Sequence, residues 1–127
     1  MSEPYQAQQG LILVRTEITG PGGTAVARLA LDTGALFTVI SSAAMMKVGF
    51  DPAQSPHRTQ IVTVSGLAVV PQISLLKLRA LGVERMGFSV LAHTFPAHMT
   101  VDGLLGLDFF RGQVLTLDFQ QGEITLA

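Results

Sequence analysis

The chain is a succession of short apolar runs broken by turn residues, the pattern of an all-β domain. "GLILVRTEI" reads as a strand, "TGPGG" (19–23) as a turn, and "TAVARLAL" as the returning strand of a hairpin. "ALFTVIS" reads as a third strand. "SAAMMKVGF" (42–50) is the first helical piece, opened by Ser41-Ser42 as cap residues and ended by Gly49 and Pro52. After the loop "DPAQSPHR", the runs "TQIVTVSG" and "LAVVPQISLLKL" read as two strands meeting near Ser65-Gly66. "ERMGFSVLA" alternates, with Met86, Phe88 and Val90 on one face. A loop "HTFPAHMT", a short strand "VDGLLG" and a helical turn "LDFFRG" follow, and "QVLTLDF" with "EITLA" form a closing hairpin. Residues 1–9 are polar and read as a flexible arm before a single domain at 10–127.

Composition narrows the possibilities. With 127 residues and 48% hydrophobic content, the chain is one domain with enough apolar side chains for a core. A formal net charge of −1 gives no electrostatic reason to expect nucleic acid or an anionic membrane. There is no cysteine, hence no disulfide framework or thiolate chemistry. No 18-residue apolar run is present, and "MSEPYQAQQG" has neither the basic nor the apolar region of a signal peptide. These features together lean toward a cytoplasmic location.

One stretch breaks the pattern. In "RLALDTGALFTVI" (28–40) a carboxylate, a hydroxyl and a glycine interrupt apolar strand sequence. A carboxylate is a competent base toward water when its protonation suits the task. Two carboxylates pressed together cannot both ionise cheaply, so they share a proton and titrate as a unit. Such a device needs a carboxylate on a tight loop, a neighbour that holds the loop, and a residue without a side chain where substrate approaches. Asp32, Thr33 and Gly34 have those properties in that order. Asp-Thr-Gly is also an ordinary turn sequence. Here, however, apolar strand sequence flanks it on both sides.

"LALDTGALFTVIS" resembles the active-site segment of retropepsin-like aspartic proteases, the single-lobed relatives of pepsin. Their second signature, two apolar residues and a glycine before a short helix, is matched by Leu104-Leu105-Gly106 in "VDGLLGLDFFRGQVLTLDFQQGEITL". "TVSG" stands where that family has its flap hairpin. The resemblance runs from about residue 10 to the C-terminus. It implies a closed acid-protease β-barrel with one or two short helices. It makes Asp32 catalytic, Thr33 a bond across a two-fold axis, and Gly34 and Ala35 the rest of the loop. Leu104, Leu105 and Gly106 would brace the loop from beneath, and Ser65 and Gly66 would lie at the flap tip, over bound peptide. Retroviral members carry an aspartate and an arginine, as an ion pair, where this chain has Leu36 and Leu107. An apolar pair is a coherent replacement for such an ion pair.

Because the chain holds one Asp-Thr-Gly, two carboxylates require two chains, and a C2 homodimer supplies them. The N-terminal arm and "EITLA" are the candidate interface strands, as terminal strands are in retroviral relatives. Asp102 and Phe95 are candidates for substrate specificity, with a turn position as the plain reading of Asp102. Asp108 reads as a helix cap and Asp118 as a solvent-facing strand residue. His57, His93 and His98 lack the spacing of a metal site, so neither metal nor cofactor is expected. The absence of a Gly-x-Ser-x-Gly elbow argues against a serine hydrolase. The reading is a homodimeric aspartic endopeptidase acting on peptide or protein. The alternatives are a catalytically inactive or latent peptide-binding module of the same fold, and a processing domain acting only within a parent chain.

Overall fold

The structure is a computed structural model that describes residues 2–8, 10–63 and 65–127. Met1 and Gln9 of the expected arm and Val64 of the expected flap tip lie outside the described residues. In chain order the strands are β1 (Ser2–Pro4), β2 (Gln6–Gln8), β3 (Leu11–Gly20), β4 (Gly23–Leu31) and β5 (Val39–Ser41). Helix α1 (Ser42–Lys47) and a 3-10 turn (Pro52–Gln54) precede β6 (Arg58–Thr63), β7 (Gly66–Ala80), β8 (Val83–His93) and β9 (Gly103–Leu105). Helix α2 (Leu107–Phe110), β10 (Leu115–Asp118) and β11 (Glu123–Leu126) end the chain.

The larger sheet runs β2-β3-β4-β9-β5-β8-β7-β6, and β7 also pairs with β3. That extra pairing, Thr16↔Ala80 to Thr19↔Lys77, closes β3, β4, β9, β5, β8 and β7 into a barrel. One long strand serves two purposes. The start of β7 pairs with β6 as a projecting hairpin from Arg58↔Pro71 to Thr63↔Gly66, and its end closes the barrel. Alternation on β3 sends Val14, Thr16 and Ile18 inward while Arg15 stays exposed. The barrel is filled by Ile18, Leu29, Ile40, Met45, Leu75, Leu78, Leu105 and Phe109, all shielded from solvent. Apolar burial of this kind is the main favourable term in folding. The second sheet, β1-β11-β10, covers one side of this core through Ile124 and Leu126.

Several elements differ from the sequence reading. The polar N-terminal residues, read as an arm, carry β1 against β11 and β2 against β3. Main-chain pairing in those ladders, which does not depend on apolar side chains, is what orders this polar sequence. "ALFTVIS" is a strand only over Val39–Ser41; Ala35 to Thr38 is loop, held by bonds to the segment around α2 instead of by a ladder. On β8, Val90 is buried and Phe88 half-buried, but Met86 lies beyond the core and is 72% exposed. The capping role of Ser41 is present: its Oγ accepts from the Ala44 N–H at 3.1 Å.

Candidate active site

Asp32 follows directly on β4. Its N–H donates to Leu105 O at 3.0 Å, which carries the β4–β9 ladder one residue further. The chain then turns sharply: Ala35 N–H donates to Asp32 O at 3.2 Å. Within this turn the Gly34 N–H donates to Asp32 Oδ1 at 2.9 Å and so aims the carboxylate. Leu107 N–H donates to Ala35 O at 2.8 Å. The loop is therefore clamped at both ends by residues 105–107, the second sequence motif. Asp32 is half-buried, whereas Thr33 and Gly34 are exposed.

The brace depends on close approach. A Cβ on Gly106 would stand 2.7 Å from Phe37 C and 2.9 Å from Ala35 O, so only glycine lets the two backbones meet. Gly103 has the same function one strand earlier, where a Cβ would come to 2.0 Å from Val39 O. Leu104 and Leu105 form β9 with it, between β4 and β5.

Sequence reasoning missed a second support. Thr38 is fully buried; its Oγ1 donates to Asp108 Oδ1 at 2.7 Å and accepts from Gly106 N–H at 3.1 Å. The Thr38 N–H also donates to both Asp108 oxygens at 3.0 Å. Asp108 is thus not the helix cap that its position suggests. Gly106 is the N-cap of α2 and makes no side-chain bond, while the Asp108 carboxylate turns away to the loop. The available signal was a lone hydroxyl in the apolar stretch "LFTVI", because a buried polar group needs a partner.

A cleft of about 470 Å³ opens beside the loop. Gly34, Ala35, Leu36, Phe37 and Val39 line it from the loop and β5, Gln60, Ile61 and Val62 from β6, with Leu91 and Leu104 completing it. Among the described residues no charged side chain lines it. The β6–β7 hairpin therefore stands over the Asp32–Thr38 loop, with Ser65 in its exposed turn and Gly66 next to it at φ +124°. Leu36 and Leu107 are exposed, 68% and 40%.

Phe95 and Asp102 lie elsewhere, on a smaller pocket with Ser41, Thr94 and Met99. Asp102 Oδ2 accepts from Arg28 N–H at 2.9 Å, and its carbonyl accepts from Ser41 N–H at 2.7 Å, so it ties β4 to β5. Asp118 is half-buried, not purely solvent-facing; its Oδ1 accepts from the Gln120 and Gln121 N–H groups and shapes the final turn. Among the described residues no group of three or more acidic or histidine side chains could hold a metal ion, and no helix is long and apolar enough to cross a membrane.

Comparison with known proteins agrees with this geometry. The chain is similar over 100% of its length to a retropepsin-like aspartic protease from Rickettsia conorii, with a TM-score of 0.69, 14% identity and 93% of that chain covered. That likeness concerns the fold. No curated protein matches. The family model described as aspartyl protease matches residues 14–109, from β3 through both motifs into α2. By that match over most of its length, the chain belongs to the aspartyl protease family.

Proposed function

We propose that the protein is a homodimeric aspartic endopeptidase. The observation that carries this reading is Asp32 itself: a half-exposed carboxylate, aimed by the Gly34 N–H, beside an uncharged cleft. It is one half of an acid–base pair, and a two-fold axis provides the other half. The two Asp32 carboxyl groups share one proton.

In the proposed reaction a water lies between the pair. The ionised Asp32 takes a proton from the water as its oxygen bonds to the peptide carbonyl carbon. The protonated Asp32 gives its proton to the carbonyl oxygen, which yields a neutral tetrahedral diol. Collapse breaks the C–N bond; the nitrogen takes one proton and a carboxyl product forms. Neither a covalent intermediate nor a cofactor enters these steps.

The remaining residues have supporting roles. The exposed Thr33 hydroxyl is available to the partner loop. Gly34 and Ala35 let the substrate main chain come close, and Leu104, Leu105 and Gly106 hold the loop. The β6–β7 hairpin, with Ser65 and Gly66 at its tip, closes over an extended peptide that pairs with it as an added strand. Asp102 belongs to the frame through its bonds to Arg28 and Ser41, and Phe95 lies on the same separate pocket. We assign neither of them to the peptide cleft.

The test is digestion of a diverse peptide pool from acidic to neutral pH, read by mass spectrometry, with wild type and Asp32→Asn at several protein concentrations. Cleavage by wild type alone is the expected result. Absence of Asp32-dependent cleavage under all conditions overturns the peptidase reading and leaves a peptide-binding module.

A further inference from the structure

A second cavity, of about 560 Å³, adjoins the cleft. Phe37 and Leu91 line both, so the two are neighbours along one groove. Strand β6 runs beside it. Ile61 lines the cleft, Thr59 lines the second cavity, and alternation puts these two side chains on one face of the strand. The walls differ in chemistry: the cleft lining is uncharged, whereas Arg85 and Arg111 stand in the second cavity.

Hydrogen bonding around this cavity leaves donors in excess. Thr59 Oγ1 donates to Gln72 Oε1, and Gln72 Nε2 donates to Ser89 Oγ at 2.8 Å, so the Gln72 amide is engaged at both ends and Ser89 keeps its own O–H to give. Arg85 is half-buried and fixed in place. Both its hydrogen bonds leave from Nη2, to the carbonyls of Phe109 and Arg111, and its buried Nε has no partner. Arg111 is exposed and pairs with no carboxylate among the described residues. Two carboxylates share the cavity, and both are committed elsewhere. Asp108 accepts from the Thr38 N–H with both oxygens, and Glu84 lies 4.0 Å from Arg79. Their charges offset those of the arginines, so the cavity recognises a ligand through directed donors and not through a net field.

A group that accepts without donating fits this balance. A carboxylate does so, and guanidinium groups hold it through parallel N–H bonds. Arg85 is already anchored, so little of its rotamer freedom is lost on binding. A peptide paired with β6 places alternate side chains beside Ile61 and Thr59, one strand repeat apart. We propose that this cavity is a specificity site taking the side-chain carboxylate of an aspartate or glutamate two residues from an apolar side chain seated in the cleft, with Arg111 and Arg85 as donors. This rests on the peptidase reading above and names the substrate class: peptides with an apolar and an acidic residue at that spacing.

Arg111 is the position to vary, because Arg85 also holds the end of α2. The peptide-pool digest is repeated with Arg111→Lys and Arg111→Glu. The same pool is passed over immobilised Asp32→Asn and over immobilised Asp32→Asn/Arg111→Glu, and the retained peptides are sequenced by mass spectrometry. Among wild-type cleavage sites, aspartate and glutamate two residues from an apolar residue should exceed asparagine and glutamine about tenfold, the scale of a charge-assisted hydrogen bond. Arg111→Lys should keep most of that enrichment. Arg111→Glu should abolish it and favour lysine and arginine instead. Cleavage with no acidic enrichment, or with enrichment that Arg111→Glu leaves unchanged, overturns the specificity site and leaves the peptidase standing. Acidic enrichment among retained peptides that depends on Arg111, with no cleavage by wild type, upholds the site and overturns the peptidase. Neither cleavage nor retention of any peptide overturns both.

Discussion

The buried hydroxyl of Thr38 donates to Asp108 Oδ1 at 2.7 Å and ties the segment after Asp-Thr-Gly to the first turn of α2. The same hydroxyl accepts the Gly106 N–H. One side chain thus joins both sequence motifs, and its loss leaves the Gly106 N–H without its acceptor and Asp108 Oδ1 without one of its donors.

Thr38→Val is expected to cost about 1–3 kcal/mol, the penalty for leaving a buried hydrogen-bonding group unmet. Thr38→Ser should retain most of the stability. Asp108→Asn should be intermediate, because an amide oxygen at the Oδ1 position can still accept from both Thr38 donors, while its NH2 group sets a donor against the Thr38 N–H, where Oδ2 now accepts at 3.0 Å. Urea denaturation of the three variants checks the order.

Gly106→Ala places a methyl group against the backbone of Phe37 and Ala35. The loop must move, at about 1–3 kcal/mol, as for overpacked cores. Because that loop positions Asp32, peptidase activity should fall by more than stability does. Thermal melting and initial rates on the same preparation separate the two effects.

Asp32→Asn should leave the fold nearly unchanged, since the amide oxygen still accepts the Gly34 N–H and the position is half-exposed. Cleavage should drop by at least about 10²–10⁴-fold, the usual span for removing a general acid–base group. Adding the variant in excess to wild type should also suppress activity, through mixed dimers with one competent carboxylate. A variant that melts far below wild type would show that Asp32 has a structural role instead.

Specific activity should rise with protein concentration and level off once dimer predominates. Dilution assays with a fluorogenic peptide measure this directly. A constant specific activity over the range in which sedimentation shows dissociation would place a complete site in one chain.

Arg85 bonds the Phe109 and Arg111 carbonyls at 2.6 and 3.0 Å and lies over the Phe109 ring. Arg85→Ala leaves the end of α2 without those donors. A loss of about 1.5–3 kcal/mol is expected, the range for charge-assisted bonds. Differential scanning calorimetry checks it.

Much was determined by the chain as written. Period-two alternation and turn residues predict the strands of the barrel because a half-buried strand exposes every second side chain, a purely local rule. The two motifs, Asp32-Thr33-Gly34 and Leu104-Leu105-Gly106, are legible because sharp turns and close backbone contacts tolerate few residue types. Tertiary structure alone decided the rest. Asp108 is not a cap because a buried Thr38, far away in sequence, competes for its carboxylate. "ALFTVIS" is half loop because Leu107 and Asp108 take main-chain bonds that a ladder would have used. The polar N-terminus becomes β1 because β11 offers it an edge, and by the same pairing leaves β10 as the open one. Local pattern reports which face of a segment meets solvent. Which distant edge or donor a segment meets is set by how the chain closes on itself.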